Sequence, residues 1–385
     1  MDEIEQSPTV AFGDRVRAAR KKNSDLIQFN VGESDQPTHP NIIKAASNSM
    51  IAGHTKYSNS QGLHSLREEL KKKLYSTNGF QEISEENILI THGAVHGINI
   101  ALGAILSPGD ECIVIEPLWK TYSSIILSKG AKPVNIVDTQ LCNSSVDLDL
   151  ISKALTQNTK ALIINTPNNP SGKVYSKAFL EELLSLAKKF NFYIISDEVY
   201  ERYVYEEAKH FSIGSIDEKL RNVITIYSFS KTYSMTGWRV GYLVANSELI
   251  EKILALSQIS ITNIASFNQL AACTAISDKE VEQSILLYVK EMSERFSLFS
   301  DTVNSMGLQE FFKIPSAGFY CLMDISKFGS SIDASNYFLD KFYIALTPGI
   351  AFGDSMDSYL RFSIASQNKK SILKALKSVK IFTQI

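Results

Sequence analysis

Cysteine is scarce in this chain: Cys112, Cys142, Cys273 and Cys321 are four in 385 residues, with no C-x-x-C spacing among them. Isolated cysteines in a chain of this length point to buried thiols in a reducing compartment and argue against a disulfide frame or a cysteine zinc site. An excess of charge of either sign is also missing. The formal net charge is −2, and no basic run exceeds three residues, as in "KKK" at Lys71–Lys73, which reads as the solvated face of a helix. General affinity for nucleic acid or anionic lipid is therefore not expected. Long apolar runs are absent too, since "IVIEP" and "LIINTP" are far too short to cross a bilayer. The first residues, "MDEIEQSPTV", are acidic and lack the basic and apolar regions of a secretory signal. These absences lead us to expect a cytoplasmic globular protein that binds neither nucleic acid nor membrane.

What is present is a globular composition, with 44% hydrophobic and 21% charged residues. The length exceeds one ordinary core, so two domains are expected. No internal repeat or low-complexity tract occurs. The middle of the chain alternates short apolar runs ("ENILITHG", "ECIVIEP", "AKPVNIVD", "ALIINTP", "FYIISDE", "NVITIYSFS", "RVGYLVAN") with helical patterns. "SKAFLEELLSLAKKF" carries apolar residues at helical spacing behind Ser176, a candidate N-cap. Apolar runs that do not alternate with polar residues, joined by helices, predict a sheet buried on both faces, hence an α/β domain with a mainly parallel sheet. After a long helical stretch from about Ser277 to Met306 the pattern changes. "GFYCLMDI", "LTPGIAFG" and "YLRFSIA" read as short strands and "KKSILKALKSVKIF" as an amphipathic helix, which predicts a smaller α+β domain. We place the larger domain at residues 45–280 and the smaller at 14–44 with 281–385. The segment "DLIQFNVGESDQPTHP" is loop-rich and could pack on either.

In open α/β sheets, ligands bind beyond the carboxyl ends of the strands. The residues standing there are Gly93, Ala94 and Val95, then Trp119, Asn165 to Gly172, Asp197 to Tyr200, and Ser228 to Lys231. Each has a structural reading beside a functional one. "THGAVHG" offers a glycine turn opening a helix, suited to a phosphate but common in any α/β fold. "SDEVY" puts Asp197 after a very apolar strand, where it needs a cation or strong donor unless it is only a helix cap or a surface group. "NTPNNPSG" could be no more than a turn. In "SFSKTYSMTGWRVG", Lys231 stands among small, uncharged residues with Arg239 eight positions on. A lysine in poorly hydrated surroundings becomes a nucleophile for carbonyl compounds, though an exposed cation at a strand end is the alternative. Arg239 and Arg361 ("YLRFS") lie in apolar context, where each could serve an anion or a structural ion pair. His92 and His96, four apart, have a metal-binding spacing but no carboxylate or cysteine motif beside them.

The conjunction resembles the fold-type I pyridoxal-phosphate (PLP) enzymes, in particular the class I/II aminotransferases related to aspartate and aromatic aminotransferases. The strongest pieces are "SFSKTYSMTGWRVG", "NTPNNPSG" and "SDEVY", and the likeness runs from "VGESDQPTHP" to "YLRFSIAS". It implies a large domain with a mainly parallel central sheet plus a smaller α+β domain. It further implies that Lys231 holds pyridoxal 5′-phosphate covalently and then shuttles the proton. Asp197 would pair with the pyridine nitrogen, Asn169 and Tyr200 would reach the ring's phenolic oxygen, and Trp119 would stack on the ring. Ser228, Arg239 and the turn Gly93, Ala94, Val95 would cradle the phosphate, and Tyr57 ("HTKYSNSQG") would reach the phosphate across a homodimer interface. Arg361, with Gly32 and Asn169, would hold the substrate α-carboxylate. The implied activity is ping-pong transfer between an L-amino acid (neutral, aromatic or dicarboxylic) and a 2-oxo acid. A PLP-dependent lyase, synthase or amino-acid oxidase shares these motifs, and a non-catalytic PLP-binding regulator ranks last. The chain departs from the family's G-E-P-D-F-P-T-P pattern at Ser34 and Gln36. Val95 stands where some aspartate-preferring relatives carry a lysine, which favours apolar or aromatic amino donors.

Overall fold

The computed structural model describes residues 8–141, 145–205 and 208–384. Cys142 falls outside them; of the other cysteines Cys112 and Cys321 are buried and Cys273 is half-buried. Seven strands form the principal sheet, in the spatial order Ile88–Thr91, Gly241–Val244, Val223–Ser228, Tyr193–Asp197, Thr159–Asn165, Glu111–Glu116 and Lys132–Val137. From Val223–Ser228 to Lys132–Val137 every neighbouring pair is parallel. Gly241–Val244 runs antiparallel to both of its neighbours. These strands carry continuous apolar sequence: all residues of Ile88–Thr91, at one edge of the sheet, and Tyr227 with its predecessors in Val223–Ser228 and Ile194 to Asp197, inside it, are buried.

One expectation needs correction. "AKPVNIVD" was grouped with runs buried on both faces, yet in Lys132–Val137 only Ile136 is buried. It is the edge strand opposite Ile88–Thr91, and unlike that edge its faces are only partly covered. The cover of the sheet follows amphipathic logic. Lys177–Phe190 starts on Ser176, whose hydroxyl accepts from the Phe179 N–H, and stops on Asn191 in the left-handed region at φ 55°. Between these caps Phe179, Leu180, Leu183, Leu184 and Ala187 recur at helical spacing and are buried against the sheet core.

A second sheet of four strands follows in the order Thr347–Pro348, Tyr359–Ser363, Tyr320–Asp324 and Phe312–Lys313, all antiparallel. Its core packs under the long helix Lys279–Ser305 and the closing helix Lys369–Phe382. "LTPGIAFG" contributes only Thr347–Pro348 as strand and continues as a 3-10 turn, Gly349–Phe352. The loop-rich N-terminal segment sides with this smaller sheet. Ile27–Gln28 pairs parallel to Ile344–Ala345, and Asp35 is held by Arg295 of the long helix at 2.8 Å and by the Tyr288 hydroxyl at 3.1 Å. The same segment is pinned to the other side as well, where the Thr38 hydroxyl donates to the Ser234 carbonyl at 2.6 Å. No helix among the described residues is long and apolar enough to cross a membrane.

Candidate active site

A cavity of about 330 Å³ opens at the carboxyl ends of the principal strands. That volume lies at the small end of the range for ligand pockets. Its walls come from the N-terminal loop (Asn30 to Glu33), from the strand ends (Asn165, Asn169, Asp197, Tyr200, Ser228, Lys231) and from the smaller sheet (Tyr320, Arg361). Ala94, Val95, Trp119, Tyr122, Val199 and Phe352 complete the lining. Of the residues picked from the sequence, Gly32, Ala94, Val95, Trp119, Asn169, Asp197, Tyr200, Ser228, Lys231 and Arg361 therefore meet at one cavity.

Lys231 sits in the short helix Phe229–Thr232, directly after strand Val223–Ser228, and its Nζ donates to the Gly32 carbonyl at 2.6 Å. Its backbone carbonyl accepts from the Tyr203 hydroxyl at 2.9 Å, which fixes the turn from below. Among the described residues no carboxylate lies within ion-pair distance of Lys231. Asp197 ends its strand 4% exposed. Burial pushes its carboxyl up to about 6, against the pull of the Tyr122 hydroxyl, the Val199 N–H and the Lys231 charge; Glu198 adds to the push. Tyr122 donates to Asp197 Oδ2 at 2.6 Å and the Val199 N–H to Oδ1 at 3.3 Å. Asn165 ties the neighbouring turn to this strand: its Nδ2 donates to the Asp197 carbonyl at 2.9 Å and its Oδ1 accepts from Asn169 N at 2.7 Å.

Arg361 is buried without any acidic partner among the described residues. Its Nη1 donates to Asn169 Oδ1 at 2.9 Å and its Nη2 to the Asn30 carbonyl at 2.9 Å, while Nε has no partner. The guanidinium lies over the rings of Tyr320, at 4.1 Å, and Phe352, at 4.8 Å. Burial lowers its pKa from the usual arginine value, but a guanidinium remains a cation in proteins. A buried cation held only by neutral oxygens and aromatic faces is arranged to receive an anion.

A second anion corner lies at the helix Gly93–Ile105. Its cap residue, His92, makes no side-chain bond to the first turn, so the opening N–H groups have no side-chain partner. Gly93 adopts φ 75°, and a Cβ there would come within 2.4 Å of Arg239 Nη2. Arg239, itself at φ 56°, is held by the Thr236 carbonyl at 2.9 Å and faces no carboxylate within ion-pair reach among the described residues. Gly93 and Arg239 stand beside the cavity wall and do not line it. Tyr57 is also outside it, 88% exposed on the surface. Both ring nitrogens of His96 have partners within the chain: Nδ1 accepts from the His92 backbone N–H at 3.2 Å, and Nε2 bonds Ser260 Oγ at 3.0 Å.

Residues 24–379 match the family described as Aminotransferase class I and II. The chain belongs to that family. It is 34% identical to the aspartate aminotransferase of Thermotoga maritima over 99% of this chain and 98% of that one. It is equally 34% identical to aromatic-amino-acid aminotransferase 2 of Thermococcus litoralis, covering 90% and 88%. The solved aspartate aminotransferase of Thermus thermophilus with maleate superposes with a TM-score of 0.92 at 31% identity, over 99% and 97% of the two chains. The protein is thus a fold-type I, PLP-dependent aminotransferase.

The aminotransferase's own residues fit that cofactor. A buried carboxylate (Asp197), a lysine with no carboxylate in ion-pair reach among the described residues (Lys231), a glycine turn packed on an arginine (Gly93 and Arg239) and a buried guanidinium with no acidic partner among them (Arg361) supply the kinds of group that an anionic, aldehyde-bearing cofactor and an amino-acid carboxylate require. Neither Tyr122 nor Tyr320 is singled out for the site by the sequence. Tyr320 bonds the Tyr200 hydroxyl at 2.7 Å and leaves no room for a side chain at Gly32, where a Cβ would lie 2.3 Å from its own hydroxyl. For Tyr122 the signal was its place three residues after Trp119, facing the same strand end.

Proposed function

We propose that the enzyme moves an amino group between an L-amino acid with a neutral, apolar or aromatic side chain and a 2-oxo acid, in two half-reactions at one site, as a cytoplasmic homodimer. The observation that carries this reading is the meeting of Lys231, Asp197 and the unpaired Arg361 at one cavity. In this reading Lys231 holds the cofactor through Nζ, and once released carries the proton to and from the substrate Cα. Bound PLP supplies the electron sink for the negative charge that develops there. Asp197 keeps the proton on the ring nitrogen, Asn169 and Tyr200 hold the phenolic oxygen, and Trp119 covers the ring. Gly93, Ala94, Val95, Ser228 and Arg239 hold the phosphate, with Tyr57 of the second subunit reaching it across the interface. Gly32, Asn169 and Arg361 orient the substrate α-carboxylate. Residues 45–280 form the cofactor-binding domain, and 14–44 with 281–385 the smaller one.

Charge supports the choice of donor. Lys231 and Arg361 are the cations among the residues lining the cavity, and in this reading the cofactor takes the first and the substrate α-carboxylate the second. The rest of the wall is mainly apolar or aromatic (Val31, Ala94, Val95, Trp119, Tyr122, Val199, Tyr320 and Phe352), with the neutral Asn30 and Asn165 and the Glu33 carboxylate among them. A second substrate carboxylate would meet no cation and one like charge. The Thermotoga and Thermus relatives are aspartate aminotransferases, which favours a dicarboxylic donor as the second reading. That reading requires a cation delivered by the partner subunit.

The test is to add single amino acids to the PLP-loaded protein without any oxo acid and follow its visible band. Discharge by phenylalanine, tyrosine or leucine, with one 2-oxo acid released per site, is expected, and aspartate should be slow. Fast discharge by aspartate alone would move the assignment to the dicarboxylic donor. Ammonia release or oxygen consumption would move it to lyase or oxidase chemistry.

A further inference from the structure

We propose that Tyr122 is a positioning residue for the cofactor ring, its hydroxyl holding the Asp197 carboxylate in register while the edge of its ring braces Trp119. The inference rests on the assignment of Asp197 to the ring nitrogen made above.

Two contacts of one side chain carry it. Tyr122 Oη donates to Asp197 Oδ2 at 2.6 Å, and both residues are buried. The rings of Tyr122 and Trp119 lie 5.6 Å apart at 88°, an edge-to-face pair. Tyr122 thus touches both the group that would grip the ring's nitrogen and the group that would cover its face. A buried phenol needs a hydrogen-bond partner, and this one has found a carboxylate rather than a backbone carbonyl. It is the shortest contact to Asp197 Oδ2 among the described residues; Oδ1 takes only the longer bond from Val199 N–H.

The groups around Asp197 explain why a donor is needed. Burial and Glu198 disfavour its charge, whereas Tyr122, the Val199 N–H and Lys231 favour it. Tyr200 also feels the carboxylate from the next turn of chain. Remove the Tyr122 hydroxyl and the balance tips further toward the protonated acid, which cannot pair with a protonated ring nitrogen.

The experiment measures PLP affinity by ultrafiltration for wild type, Tyr122→Phe, Asp197→Asn and the double variant, between about pH 5.5 and 8.5. Tyr122→Phe keeps the ring against Trp119 and loses only the donor. It should weaken PLP binding by about 10- to 100-fold and move the acid limb of binding to higher pH. In the Asp197→Asn background the same change should cost less than about threefold, because the charge it serves is gone. Affinity and acid limb equal to wild type would overturn the proposal, and so would an equal loss in both backgrounds, which marks a packing role. Should Tyr122→Phe fail to fold, Tyr122→His retains a ring with a donor. Affinity near wild type then supports the proposal, and a 10-fold or greater loss counts against it. If wild type takes up no PLP, or Asp197→Asn binds as tightly as wild type, the assignment of Asp197 fails instead.

Discussion

Lys231 Nζ and the Gly32 carbonyl oxygen lie 2.6 Å apart although 199 positions separate them in the chain. The loop that bears Gly32 is fixed at Asp35 by Arg295 and Tyr288, and at Thr38 by Ser234. The lysine is therefore held at the cavity by a neutral acceptor, and no carboxylate among the described residues keeps it permanently paired. A carbonyl accepts from an amine in either protonation state, so this bond does not oppose the neutral form that attacks a carbonyl compound. Lys231→Ala should abolish turnover and leave PLP bound without a covalent link. Borohydride reduction followed by mass spectrometry should then find no PLP attached to the chain. Sustained transamination by the variant would remove Lys231 from its role.

Arg361 gives the second expectation. Among the described residues it meets Asn169 Oδ1 and the Asn30 carbonyl but no anion, and Asn30 Oδ1 nearby also lacks a partner there. Truncating a buried cation that pairs with a substrate charge costs about 2–5 kcal/mol. Arg361→Ala should therefore raise KM for amino acid and oxo acid together by well over tenfold, with PLP binding nearly unchanged. Arg361→Lys should fall between, since it keeps the charge and loses the fork. Steady-state kinetics with both substrates varied decide it, and a KM equal to wild type in Arg361→Ala would take the residue out of the site.

Asp197 makes stability depend on pH. Its carboxyl is raised from 3.8 to about 6, chiefly by burial. A raised acid holds its proton more tightly in the folded chain than in the unfolded one. Its stabilising contribution is complete below the ordinary carboxylate value and is lost as pH climbs through about 6. The PLP-free protein should thus carry at pH 8 a burial cost of roughly 2–3 kcal/mol that is absent at acid pH. Asp197→Asn should raise Tm of the PLP-free protein at pH 8, and little at pH 4, while losing PLP affinity. Calorimetry at the two pH values checks this, and a lower Tm for the variant at pH 8 would contradict the assigned cost.

The turn at Gly93 offers a steric test. Its φ of 75° and the 2.4 Å approach of a built Cβ to Arg239 Nη2 mean that alanine must shift the arginine or the turn. Gly237, two residues before Arg239, has no atom within 4 Å of such a Cβ. Gly93→Ala should weaken PLP binding by about tenfold or more, and Gly237→Ala by less than about threefold. Equal affinity in both variants, measured by ultrafiltration, would detach the Gly93 turn from the phosphate.

Much of this site was legible because its residues stand directly after apolar runs. Asp197, Ser228 and Lys231 follow strands that read unmistakably from the sequence, and strand ends in a parallel sheet converge. What the sequence hid was lateral contact. Tyr122 reaches Asp197 from a different strand–helix joint, and Tyr320 reaches Tyr200 from the smaller sheet, 120 positions away. Tyr320 leaves no local pattern and Tyr122 only its place three residues after Trp119, a weak mark because aromatic residues fill cores just as often. The edge position of Lys132–Val137 was hidden for a related reason: strand order is set by helical crossovers, whereas hydrophobicity reports only burial. Tyr57, at 88% exposed, shows the limit from the other side, since in the proposed dimer the phosphate it would reach lies in the second subunit.

Donor choice is where a single residue should act most visibly. Val95 lines the cavity, 39% exposed, at the first turn of Gly93–Ile105. The cavity's cations, Lys231 and Arg361, are both committed, and Glu33 adds a like charge for any second carboxylate. Val95→Lys would place a flexible ammonium where that carboxylate has no counter-ion, on an exposed helix turn that tolerates the longer side chain. An exposed to half-buried pair of this kind contributes about 1 kcal/mol or somewhat more. The ratio of kcat/KM for aspartate over phenylalanine should therefore rise by about five- to tenfold, and adding Glu33→Gln should raise it further by removing the repulsion. Half-reaction rates with the two donors measure the ratio directly. A ratio unchanged in both variants would show that the substrate side chain points away from Val95 and Glu33, and the preference for apolar donors would have to be sought on another wall.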